Sequence, residues 1–172
     1  MAKDFHFFSV PVRSALRNFS LASILLACLL GSIFKAEARE VTPFNNGWEF
    51  KKGPFPTDAM QTAARWNADW EQVNVPHTWN ADDMQKKTNN FYAGVAYYRK
   101  HYVFPESLEG KRLFLRFEGV GACAEVYVNG YLVGTHKGAY SAFVCEIGSQ
   151  VRLGEENEIV VKADNAARPD VI

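Results

Sequence analysis

The sequence predicts an all-β protein, an antiparallel sandwich or jelly roll. Three observations point there. Apolar residues alternate with polar ones at a period of two through Leu113, Leu115 and Phe117, as in a strand with one buried face. Val126 and Val128 alternate with Glu125 and Tyr127, and Asn129-Gly130 follows before Tyr131, Leu132 and Val133. Asn-Gly supplies two residues tolerant of positive φ, as a tight type I′ hairpin requires. Seven or eight such short runs, each closed by a turn signal, recur along the chain; that spacing belongs to sandwiches and jelly rolls.

In chain order, Arg39 to Pro43 is an extended entry segment. Trp48 and Phe50 share one face of a short strand that Gly53, Pro54 and Pro56 end. Thr57 to Trp70 has Ala59, Met60, Ala63 and Ala64 at helical spacing, so a short helix or helical turn is expected there. Val73 and Val75 point inward from a brief strand, and Pro76-His77-Thr78-Trp79-Asn80 turns out of it. Ala81 to Gly94 is polar and reads as a long surface loop. Val95 to Phe104 is a strand. After the central hairpin come alternating Phe143, Cys145 and Ile147, and then Ile159, Val161 and Ala163, ending in Asp164-Asn165.

The opening of the chain follows a different logic. Lys3, Arg13 and Arg17 form a basic n-region, Leu21 to Phe34 is mostly apolar, and Ala36-Glu37-Ala38 places small residues where a signal peptidase cuts. Residues 1–38 are therefore expected to be a secretory leader outside the fold, with residues 39–172 forming the domain. The product would be periplasmic or extracellular, with no membrane span left after cleavage; the apolar run is short for one. Leu25-Leu26-Ala27-Cys28 offers the rival of a lipid anchor at Cys28. Leu26 is large for its place in a lipobox, and the apolar run continues beyond Cys28.

Charge excludes some functions. The whole chain carries 19 basic and 19 acidic residues. The leader holds more bases than acids, so the remainder has a small acidic excess. Nothing there attracts a polyanion, and nucleic acid is not an expected partner. Aromatic residues make up 14% of the chain, which suits first a β-rich core and second a surface that stacks on sugar rings. No phosphate loop, nucleophile elbow or metal-ligand cluster appears, and no cofactor is expected. Asp82-Asp83 lacks the further oxygen ligands a calcium site needs. Export permits a disulfide between Cys123 and Cys145, while two isolated cysteines in strands also fit as small buried hydrophobes; both readings stay open.

An ordered set of segments carries a resemblance. It comprises Phe44-Asn45-Asn46-Gly47-Trp48, Val73-Asn74-Val75-Pro76-His77-Thr78-Trp79-Asn80, Tyr98-Arg99-Lys100, Leu113 to Val120, Ala124 to Gly130, Gly134 to Gly138, and Val161-Lys162-Ala163-Asp164-Asn165. Together they resemble the N-terminal sugar-binding domain of glycoside hydrolase family 2, the β-galactosidases, β-glucuronidases and β-mannosidases. The resemblance implies a jelly roll of the galactose-binding type, followed in family members by an immunoglobulin-like domain and a (β/α)₈ barrel. It implies retaining hydrolysis by two glutamates about 5 Å apart, both on the barrel. No catalytic residue is therefore assigned in this chain. The sequence ends at Arg168 to Ile172 within a loop that family members continue, so it is read as an N-terminal portion, inactive alone, whose partners are carbohydrate and its own further domains. A β-galactoside is the expected substrate of the whole enzyme.

The positions resembling family contacts to sugar are Asp164, Asn165 and Asn90. A carboxylate accepts hydrogen bonds from sugar hydroxyls, and an amide both accepts and donates. Asp164 and Asn165 also suit a turn made through their own backbone. His77 reads as a loop-fixing hydrogen-bonder, and Trp79 as packing over the sandwich edge. Two other functions fit the same residues: a free-standing carbohydrate-binding module, and a structural interaction domain without glycan affinity.

Overall fold

In a computed structural model the described residues are 2–11, 39–53, 69–80 and 92–166. They form ten strands and one 3₁₀ turn: β1 (Phe5–Pro11), β2 (Glu40–Pro43), β3 (Trp48–Lys52), β4 (Glu71–Val73), β5 (Val95–Val103), β6 (Lys111–Phe117), β7 (Cys123–Val128), β8 (Tyr131–Lys137), β9 (Phe143–Glu146) and β10 (Glu156–Asp164). The turn is Glu106–Leu108. Two sheets result, a smaller one in the order β2-β1-β6-β9 and a larger one in the order β4-β3-β5-β10-β7-β8. Every strand pair is antiparallel. This is the sandwich the alternation predicts. Residues 57–68 of the expected helical segment and most of the 81–94 loop lie outside the described residues; Asp69 and Trp70 are not helical.

Period two decides which side chains fill the space between the sheets. Leu113, Leu115 and Phe117 of β6 face Val126 and Val128 of β7 and Ile159, Val161 and Ala163 of β10, all buried. Aromatic rings fill the middle. Phe5 meets Trp48 edge-on at 5.2 Å and Phe117 at 4.6 Å, and Phe7 meets Phe104 at 5.1 Å. Edge-to-face contact suits ring quadrupoles and adds to the apolar burial. The hairpin forms as its turn predicts: Asn129 and Gly130 have φ of 51° and 82°. On its far strand the register slips between Val126 and Tyr127, a bulge that leaves Val133 unpaired and sets Gly134 opposite Val126.

The leader reading sets residues 1–38 outside the fold, yet β1 lies inside the smaller sheet, between β2 and β6. Phe5 and Phe7 are buried in the common core, and Ser9 is covered too. The segment is pinned before β1 starts. Lys3 N–H donates to the Gly119 carbonyl, Glu118 N–H to the Asp4 carbonyl, and Phe5 N–H to Asn45 Oδ1. Both faces of β1 are covered: Phe5 and Phe7 enter the common core, and Phe8 on the other face stacks on Phe114 at 4.8 Å, in a stretch whose basic charge suits a leader. Residues 12–38, including Cys28, lie outside the described residues.

The proposed disulfide is not formed. Cys123 and Cys145 are both free thiols. Cys145 is buried on β9 of the smaller sheet, whereas Cys123, on β7 of the larger one, alternates with the core residue Ala124 and so points the other way. No strand pairing joins them.

The larger sheet is covered on its outer side as well. Tyr97 and Val160 are buried there, packed by Trp70, Val95 and Tyr127. Arg99 places its guanidinium 4.2 Å from the Trp70 ring centre and donates to Glu49 at 2.6 Å. This explains why Ala96 to Lys100 are buried without a break: β5 has a filled layer on each face.

Candidate functional site

The outer face of β7, β8 and β10 holds a cleft of about 280 Å³. Register builds it. Glu125 pairs with Lys162 on one side and Thr135 on the other, and Cys123 pairs with Asp164 and Lys137. Strand alternation turns these six outward because Ala124, Val126, Val161 and Ala163 must face the core. His136 closes one wall, stacked at 4.2 Å on Phe143, with Nε2 3.0 Å from Ser141 Oγ.

It carries charges of both signs. Lys162 Nζ donates to Glu125 Oε1 at 2.9 Å, and the Tyr127 hydroxyl donates to Glu125 Oε2. Burial works to raise the Glu125 carboxyl, but these two hydrogen bonds outweigh it and hold the group below the usual carboxylate range. Glu125 is thus ionised at neutral pH, the opposite of what a glycosidase acid needs. A cleft that mixes carboxylates, ammonium groups and a hydroxyl can donate to and accept from a ring of sugar hydroxyls. Among the described residues no group of three or more His, Cys, Asp or Glu is arranged to hold a metal ion.

The residues singled out from sequence fall in different places. Asp164 lines the cleft, and its Oδ1 also accepts from the Ala166 N–H at 2.9 Å, the local turn bond. Asn165 does not line it. Its Oδ1 accepts from the Gly94 N–H at 2.7 Å and its amide donates to the Tyr92 carbonyl, clamping residues 92–94 to the end of β10. The same carbonyl receives Asn80 Nδ2 at 3.1 Å. Asn90 lies outside the described residues. His77 Nδ1 sits 3.0 Å from the Tyr98 hydroxyl, and burial lowers its pKa. Trp79 is buried against Phe50, with ring centres 5.9 Å apart. Glu125, Lys162, Thr135 and Lys137 were not singled out from sequence. Their signal is the outward half of the alternation, visible only once the β7–β10 register is known.

Residues 42–168 match the family model described as glycosyl hydrolases family 2, sugar binding domain. The chain belongs to glycoside hydrolase family 2. Among curated relatives of this family 2 chain, a β-glucuronidase of Bacteroides fragilis is 36% identical over 151 residues, covering 87% of the chain and 20% of that protein. A β-galactosidase of Thermoanaerobacter pseudethanolicus is 34% identical, covering 77% and 18% respectively. Among solved structures, a putative β-galactosidase from Bacteroides fragilis superposes with a TM-score of 0.70 at 69% identity over 78% of the family 2 chain and 20% of that structure. Bacteroides uniformis β-glucuronidase 2 does so at 0.67 and 32% identity, over 78% and 15%. The chain thus spans about a fifth of the length of the relatives it matches.

Proposed function

We propose that this chain is the exported, non-catalytic sugar-binding domain at the N-terminus of a retaining family 2 glycosidase. The observation that carries the reading is the family match over residues 42–168, threaded through strands β3 to β10 in one sandwich. The Glu125 carboxyl, held below its ordinary value by the hydrogen bonds from Tyr127 and Lys162, supports a binding role rather than that of a proton donor. The whole enzyme would remove terminal β-linked sugars. β-Galactosides are favoured by the 69% identical structure, which is described as a putative β-galactosidase. β-Glucuronides are the second reading, supported by the names of the Bacteroides fragilis and Bacteroides uniformis relatives. Export rests on the basic opening, the apolar run and the small residues before position 39.

Two measurements on the 172-residue chain test this. Chromogenic β-galactosides and β-glucuronides should remain uncleaved; turnover by this chain would overturn the non-catalytic reading. Calorimetric titration with galactose- and glucuronate-terminated oligosaccharides should give millimolar or tighter binding to one of the two sets. Absence of any glycan affinity would favour a purely structural domain.

A further inference from the structure

Asn-Gly occurs twice in the chain, at 46–47 and at 129–130. A glycine after asparagine leaves its peptide nitrogen open to the side-chain amide, because no Cβ stands in the way. The two sites are held in opposite ways. At Asn129 the side chain is locked. Its Nδ2 donates to the Gln150 carbonyl and to Asn157 Oδ1, both at 2.8 Å, and its Oδ1 accepts from the Glu158 N–H at 3.1 Å. The amide carbon cannot turn towards Gly130 without breaking these bonds.

Asn46 is exposed, and there the contacts fall on the backbone instead. Lys100 reaches this peptide from β5. It is only 9% exposed, with its ammonium 4.8 Å from the Phe44 ring centre and 5.8 Å from that of Trp48, and it donates to the Asn46 carbonyl. A Cβ on Gly47 would lie 3.6 Å from Lys100 Nζ. The ammonium therefore sits beside the peptide that links Asn46 to Gly47, and the apolar rings around it strengthen its field at that oxygen. At the other end of the same peptide the Gly47 N–H donates to Asn74 Oδ1 at 3.0 Å in an exposed contact, so base from solvent reaches the proton.

We propose that Asn46 is a self-modification site of the folded chain, at which Lys100 is the catalytic cation and water the co-reactant. An ammonium on a carbonyl oxygen stabilises the anion left when the attached N–H is deprotonated. Hydroxide takes the Gly47 proton, and the negative charge spreads onto the Asn46 oxygen that Lys100 holds. The Gly47 nitrogen then bonds to Asn46 Cγ, the Cγ–Nδ2 bond breaks, and Nδ2 leaves as ammonia with a proton from water. Water opens the resulting cyclic imide at either carbonyl, giving aspartate or isoaspartate at this position. The net change consumes one water and releases one ammonia. The aspartate product sets a carboxylate beside a buried cation, and the isoaspartate product lengthens the backbone just before β3. Asn129 is the unreactive counterpart for as long as the fold is closed.

The test incubates the full chain at pH 8, folded and in urea, then digests it at acid pH and reads both Asn-Gly peptides by mass spectrometry. Methyltransferase labelling counts the isoaspartate. In the folded chain Asn46 should convert faster than it does in urea, while Asn129 stays an amide. In urea the two should convert at similar rates. Lys100→Met should slow the folded-state conversion about tenfold, the scale of one hydrogen bond to a charged group, and leave the rate in urea unchanged. Lys100→Arg keeps the charge and should stay closer to the unaltered chain than Lys100→Met does. An intact Asn129 in each variant certifies that the fold is closed. If Lys100→Met does not fold, the comparison of the unaltered chain folded and in urea decides, since only the fold brings Lys100 to the Asn46 carbonyl. The proposal is overturned if Asn46 converts no faster folded than in urea, if folded Lys100→Met matches the unaltered chain, or if Asn129 converts alongside Asn46 in the folded chain. Glycan binding and hydrolysis are separate readouts, so failure here leaves the proposed function standing.

Discussion

A methyl group on Gly134 would lie 2.2 Å from Cys145 Sγ. Gly134 is on β8 at the edge of the larger sheet, and Cys145 is on β9 at the edge of the smaller one. The thiol occupies the space a side chain would need, so the two sheets close on each other here. The β8 bulge helps bring Gly134 to this position.

Gly134→Ala should therefore destabilise the domain by overpacking, about 1–3 kcal/mol, lowering Tm by about 2–4 °C per kcal/mol in a chain this long. The cause is separable from glycine's backbone freedom. Adding Cys145→Ala to the variant removes the clashing sulfur and should recover at least half of the lost Tm. Differential scanning calorimetry of the two single variants and the double variant tests this; a double variant no better than Gly134→Ala would disprove it.

Asn157, fully buried, holds the turn before β10. Its Oδ1 accepts from Asn129 Nδ2 and Arg152 N–H, both at 2.8 Å, and its Nδ2 donates to the Arg152 and Glu155 carbonyls at the same distance. Asn129 in turn ties the hairpin to Gln150 and Glu158. Asn157→Ala leaves several buried backbone groups without partners and should cost roughly 3 kcal/mol. Urea unfolding should show a lowered midpoint with an unchanged slope. A loss under about 1 kcal/mol would mean that water replaces the amide fully.

Much of this architecture is legible from the chain because strands with one buried face write their period into the residues. Leu113-x-Leu115-x-Phe117 and Val126-x-Val128 need no partner to be recognised, and Asn129-Gly130 specifies its own turn. β1 escaped because Phe5, Phe7 and Phe8 are buried from both faces, so no polar-apolar alternation marks it, and the charge pattern around it also fits a leader. The cleft escaped for a different reason. Glu125 meets Lys162 across strands 37 positions apart in sequence, and register between distant strands has no local signature. The cysteine pair shows the same limit: alternation says that each lies in a strand, but not in which sheet.

The Cys145 thiol supplies a pH dependence. Burial pushes its pKa up to about 11 from the ordinary 9.0. The unfolded chain then loses this proton first, so the contribution to stability is intact below about pH 9 and declines as pH rises towards 11. Cys145→Ala should flatten that alkaline decline. In the native chain at pH 8, iodoacetamide should label the partly exposed Cys123 well before Cys145, as read by peptide mass spectrometry. Equal labelling of the two would contradict the burial of β9.

Glu125 supplies the acidic counterpart and a probe of the cleft. Burial alone would raise its carboxyl, yet the bonds from Tyr127 and Lys162 hold it below the ordinary 4.5. A depressed carboxylate pKa stabilises the fold above the unfolded value, and that contribution disappears as pH falls through the folded pKa. Lys162→Met removes one of the two bonds, so the carboxyl should titrate at higher pH by NMR, and the acid limb of the stability profile should begin earlier. If the cleft receives the glycan, Glu125→Gln and Lys162→Met should each weaken binding about tenfold, the scale of one hydrogen bond to a charged group. Asn165→Ala should instead act on stability, since Asn165 clamps Gly94 and Tyr92 and does not line the cleft. Unchanged glycan affinity in both cleft variants, with a measurable loss in Asn165→Ala, would move the binding surface away from β7 and β10 towards residues 92–94.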